Sequence, residues 1–139
     1  MRVLVPVDGL ERGQRAVELA TTLFPAGTVV LLHVINPAEA GFSSEATVPS
    51  FPDGWYETER ERVRSVFDEI EAAVGDEVTI ERQIEPGKPA RTTIETADER
   101  EIDHIVMGSH GRKGVSRILL GSVAESVVRR SPVPVTVAR

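Results

Sequence analysis

Two spacings of hydrophobic residues take turns along this chain. The run "RVLVPV" at 2–7 is short, apolar and β-branched and ends at Asp8-Gly9, the pattern of a strand buried on both faces of a parallel sheet. Ala16, Leu19, Ala20 and Leu23 then fall at i, i+3, i+4 and i+7, which predicts an amphipathic helix stopped by Pro25 and Gly27. "TVVLLHVI" at 28–35 repeats the buried-strand pattern. The following "NPAEAGFSSEATVPSFPDG" has no period and is rich in Pro, Gly, Ser and Ala, so a long loop is expected there. From Trp55 to Val74, the positions Tyr56, Val63, Val66, Phe67, Ile70 and Val74 keep helical spacing on a charged surface, and Gly75 ends that helix. "EVTIERQI" at 77–84 alternates, with Glu81 and Gln83 off its apolar face, as a strand near an edge does. Gly87 and Pro89 open a helix through Ala90, Ile94 and Ala97, "DHIVMG" reads as a fourth strand, and "VPVTVA" reads as a fifth.

Strands and helices that alternate in this way predict one α/β domain over 1–139, a doubly wound five-stranded parallel sheet with helices on both faces. Ligands of such sheets bind beyond the carboxyl ends of the strands, where the strand order reverses. Here those ends are Asp8, Val34 to Asn36, Glu85, and Met107 to Gly108.

Composition narrows what can happen there. Zero cysteines exclude disulfides, thiolate metal sites and cysteine nucleophiles. A formal net charge of -6 speaks against general nucleic-acid binding, since neutralising a polyanion needs a basic face. No window approaches the roughly 18 apolar residues of a membrane span, and "MRVLVPVDG" enters a strand directly, so a cytoplasmic protein without membrane contact is expected. His33 and His104 lie in strand patterns and read as structural, and neither has a neighbour that suggests a metal site.

The exception to the acidity is "GSHGRKGVSRILLGSVAESVVRR" at 108–130. Gly108 to Gly111 follows a buried strand, where exposed backbone N–H groups can cradle an anion. Gly121 comes ten residues after Gly111, with nine residues between them, and is followed by "SVAE", in which Ser122 reads as an N-cap and Glu125 as its capping-box partner. A helix starting at Ser122 points its free N–H groups and positive dipole end at the strand mouth, the physical basis of phosphate binding at helix starts. Arg129 and Arg130 complement the other end of that dipole. Neither GxGxxG nor GxxxxGK[ST] occurs, so this is not a standard dinucleotide or Walker loop.

The spacing GxxG, nine residues, then Gly-Ser resembles the ATP-binding signature of the universal stress protein family. "VLVPVDG", "LLHVI" and the whole of "IVMGSHGRKGVSRILLGSVAESVVRRSPVPV" extend the resemblance over essentially the entire chain. It implies strand order 3-2-1-4-5 and a homodimer through the last strand, with Val133 and Val135 in the contact. It also implies ATP as ligand, with or without Mg2+, in a regulator or sensor of stress physiology. Pro6, Val7 and Asp8 would flank the adenosine, the Val34 backbone would read the adenine edge, and Met107 would line the pocket. Gly108, Ser109, His110, Gly111 and Arg112 would hold ribose and phosphates, and Gly121, Ser122 and Val123 the outer phosphates. Family members usually carry Ser or Thr where this chain has Leu10, which removes a hydroxyl expected to cap the first helix. Two other readings stay open: a slow ATPase using the same pocket, and a dimeric interaction module that binds no nucleotide. No general base or nucleophilic constellation stands out in the sequence.

Overall fold

The computed structural model describes residues 1–40, 54–109 and 120–139. Strands β1 (Arg2–Pro6), β2 (Thr28–Ile35), β3 (Thr79–Pro86), β4 (His104–Gly108) and β5 (Val135–Ala138) form one sheet in the order β3-β2-β1-β4-β5, every pair parallel. Helices α1 (Leu10–Leu23), α2 (Trp55–Val74), α3 (Pro89–Glu99) and α4 (Ser122–Arg130) connect them. A short 3-10 turn at Pro37–Ala40 opens the segment expected to be a loop, and most of the rest of that segment lies outside the described residues.

Alternation along the strands divides the core into two layers. Val3, Val5, Val29, Leu31 and Val106 face α1 and α2 and pack with Ala16, Val17, Val63, Phe67 and Ile70. The intervening residues Leu4, Val30, Leu32, Ile105 and Met107 face the other way and pack with Ala97, Ala124 and Val127 of α3 and α4. A strand whose two faces both meet helices must be apolar at successive positions, which is why β1 and β2 carry unbroken aliphatic runs. β3 has no buried residue and closes one edge of the sheet, as its Glu81 and Gln83 suggested. Its Arg82 is held by the carboxylates of Asp68 and Glu71, which ties α2 to that edge. β5 closes the other edge. Val133, just before it, and Val135 are half-buried and pack against the α3–α4 layer of the core.

Two glycines are demanded, one by close packing and one by backbone conformation. Gly13 of α1 is buried so closely against Val7 and α2 that a Cβ there would sit 2.6 Å from Val7 Cγ1 and 3.0 Å from Ile70 Cδ1. Gly87 has φ +145°, which L side chains rarely adopt, and its N–H donates to the Ile35 carbonyl at 3.0 Å. That bond joins the exit of β3 to the end of β2 and sets where α3 begins.

His104 has a structural role. Its ring lies 4.8 Å from the Phe24 ring, and its Nε2 is 2.7 Å from Thr136 Oγ1. Burial holds its pKa below the ordinary 6.5. The unfolded chain therefore takes up a proton near pH 6.5 while the folded chain stays neutral. This contribution to stability is complete above about pH 6.5 and is lost as pH falls through that value toward the lower folded pKa. Between about pH 7.5 and 5.5 the melting temperature should fall, and His104→Gln should flatten that slope. An unchanged slope in the variant would remove His104 as its source.

Candidate functional site

Every helix of this fold starts at the carboxyl edge of the sheet, because each follows a strand and runs back along it. Among the described residues, those that precede the four α-helices are Gly9, Gly54, Lys88 and Gly121, and none makes a side-chain capping bond. The first-turn N–H groups at these starts are therefore not satisfied by their own caps, and each start carries the positive end of a helix dipole. Between them lies a cleft of about 940 Å3, within the usual range for a site that takes a small molecule.

The floor of the cleft comes from strand ends. Val7, Leu32, Val34 and Met107 are buried and apolar, and Pro6 and Asp8 stand at the exit of β1. At one end, Gly108 and Ser109 leave β4 toward Gly121, Ser122 and Val123 at the start of α4. The Gly121 N–H donates to the Ser109 carbonyl at 2.7 Å, and the Ser109 N–H donates to the Ala138 carbonyl at 2.9 Å. These bonds bring the two ends of the glycine segment together and anchor them to β5. The strand exit and the helix start that the sequence suggested as two halves of one cradle thus face the same cleft. His110, Gly111 and Arg112 lie outside the described residues.

Two helix caps differ from those the sequence suggests. The residue that caps α4 is Gly121, at φ -65° and ψ 159°; Ser122 is already the first helical residue. Without the extended cap conformation Ser122 forms no capping box, so its exposed side chain lines the cleft, and Glu125 instead binds Arg129 at 2.8 Å. Likewise the cap of α1 is Gly9, and Leu10 is the first residue inside the helix. A hydroxyl at position 10 would not occupy the N-cap, so leucine there removes no cap from α1.

The structure adds residues that motif spacing did not single out. His33 is 4% exposed, and its Nδ1 lies 2.6 Å from the Val7 carbonyl, which fixes the ring under the cleft. Arg12 and Gly13 of α1 and Trp55, Glu59 and Arg62 of α2 form the wall opposite α3 and α4. Arg62 donates to Glu59 at 3.0 Å, making this part of the wall a closed ion pair. On the other side Pro89 and Thr93 contribute, but the Thr93 hydroxyl donates into its own helix, to the Pro89 carbonyl at 2.7 Å. The signal for the α2 wall was present in the positions 55, 59 and 62, one face of a helix start, yet the fold was needed to show that this face lines the same cleft as the exit of β1. Among the described residues no group of three or more His, Cys, Asp or Glu is gathered to hold a metal ion, and no helix is long and apolar enough to cross a membrane.

Comparison with known proteins places this architecture. Universal stress protein MJ0531 of Methanocaldococcus jannaschii is 30% identical over 99% of this chain and 81% of its own length. The solved structure of MJ0577, a universal stress protein from the same organism, superposes with a TM-score of 0.83 at 29% identity, covering 99% of this chain and 94% of that one. A universal stress protein solved in complex with cAMP gives a TM-score of 0.68 at 26% identity, covering 100% of this chain and 96% of that one. The sequence profile of the universal stress protein family matches residues 1–139, and the chain belongs to that family.

Proposed function

We propose that this protein binds an adenine nucleotide, ATP in the first place, and acts as a nucleotide-dependent regulator in the response to stress. The observation that carries the reading is the bond between Gly121 and Ser109, which holds the β4 exit against the start of α4 at one end of a cleft floored by apolar strand-end residues. A helix start without a side-chain cap, beside a glycine-rich strand exit, offers N–H groups and a positive dipole end to phosphates. Buried Val7, Val34 and Met107 offer a base an apolar bed, and Asp8 at its border offers a carboxylate to the ribose or the base. His110, Gly111 and Arg112 complete the phosphate side by their place in the sequence motif. A Mg2+ ion accompanying the nucleotide would offset phosphate charge. The cAMP complex of a family member supports an adenine ligand for this cleft.

The same reading includes a homodimer through β5, whose outer side has no neighbouring strand among the described residues. An exposed strand edge invites pairing, and a second copy would pair with it without loss of the core contacts of Val133 and Val135. The nucleotide would act by favouring one arrangement of that dimer, to the extent that it binds one better than the other.

Protein purified without added nucleotide, then denatured, should release an adenine nucleotide identifiable by mass spectrometry, and added ATP should replace it while GTP does so poorly. Release of a guanine nucleotide, or equal replacement by both, would contradict the assignment of the base.

A further inference from the structure

Resting on the reading of the cleft as an adenine-nucleotide site, we infer that Trp55 is the stacking platform for the base. Position in the sheet decides which end of the cleft it serves. The phosphate cradle is built at β4 and α4, on one side of β1. α2 packs against α1, β2 and β3, on the other side of β1, and its first residue, Trp55, lines the same cleft as Val7 and His33. A nucleotide with its phosphates at Gly121 and Ser122 therefore directs its base toward the α2 wall.

The chemistry of that wall suits a neutral aromatic ring. Trp55 is half-buried, the only tryptophan in the chain, and set at the helix start by Gly54, whose φ of 81° turns the chain into α2. One turn on, Glu59 is 19% exposed at its side chain and takes up the charge of Arg62 in their ion pair. The wall thus combines the aromatic side chain of Trp55 with a compensated ion pair. Arg12 supplies a cation from α1, which lies over β1 and β4, between this wall and the cradle. An aromatic face beneath a base contributes affinity with little regard to which base it is. Trp55 accordingly sets how tightly the nucleoside is held, while the strand ends set its identity.

Because there is no other tryptophan, the protein reports on this contact by itself. Titrating the nucleotide-free protein with ATP should quench its tryptophan fluorescence in a saturable way, with the same midpoint as calorimetry. Trp55→Ala should weaken ATP binding about tenfold, Trp55→Phe should restore most of it, and binding of inorganic tripolyphosphate should be the same in all three proteins. Circular dichroism of each variant checks that the fold is kept, and the quenching of the unmodified protein needs no variant at all. ATP binding without quenching, and with equal affinity in Trp55→Ala, would overturn the inference while leaving the nucleotide site standing. Failure of the unmodified protein to bind ATP would remove both.

Discussion

Replacing Gly121 with valine should lower the affinity for ATP about 100-fold while leaving the protein folded. The backbone at Gly121, with φ -65° and ψ 159°, is one that any L residue adopts, so glycine is not needed there for conformation. What valine changes is the approach to α4. Its branched side chain would stand at the helix start, where Gly121 and Ser122 line the cleft and the first N–H groups point. Hydrogen bonds to a charged partner are worth roughly 1.5–3 kcal/mol each, so obstructing one or two of them accounts for a loss of about 100-fold, or ~2.7 kcal/mol. The fold loses far less, because exchanging a favourable cap residue for an apolar one costs on the order of 1 kcal/mol. A melting temperature lowered by only a few degrees, together with ATP affinity reduced by two orders of magnitude, is the expected pair of results. Unchanged affinity would mean that the phosphates do not lie at the start of α4.

The largest effect on stability is expected at Phe67. Its side chain is 0% exposed, in the core layer where α1 and α2 meet the sheet, among Val63, Ile70, Val5 and Leu31. Truncation to alanine removes the transfer energy of the ring and leaves a cavity that a densely packed layer refills poorly, a loss of about 3–5 kcal/mol. The Arg82 guanidinium lies 5.8 Å from the ring centroid, so the change also takes away the aromatic surface under the link from β3 to α2. For a domain of this size the loss corresponds to a fall in melting temperature on the order of 10–20 °C. Val128→Ala, at a side chain 46% exposed on α4, serves as the contrast and should change stability by no more than about 0.5 kcal/mol. Similar effects for the two substitutions would contradict the layered core described above.

Much of this architecture was legible in the chain because apolar spacing obeys packing geometry. The continuous runs of β1 and β2 and the 3.6-residue spacing of α2 follow from which faces must be covered, and the α2 limits at Trp55 and Val74 agree with the structure. The charged off-face of β3 announced an edge for the same reason. Chemistry at the helix starts was harder to read. Ser122 has the residue type and spacing of a cap with Glu125 following, but Gly121 already supplies the extended conformation that a cap needs. Sequence alone does not decide which of two adjacent permissive residues takes that role. The α2 wall was invisible for a different reason. Trp55, Glu59 and Arg62 belong to no local motif, and only the crossover that brings α2 back over the sheet sets them beside Val7 and His33.

Binding of an adenine nucleotide in the cleft, with its phosphates at the β4 exit and the start of α4, is tested most directly by titrating nucleotide-free protein with ATP in a calorimeter. Saturable binding of one nucleotide per chain is expected, lost or strongly weakened in Gly121→Val. No saturable heat with ATP at millimolar concentration, from protein whose melting curve shows it folded, would contradict it.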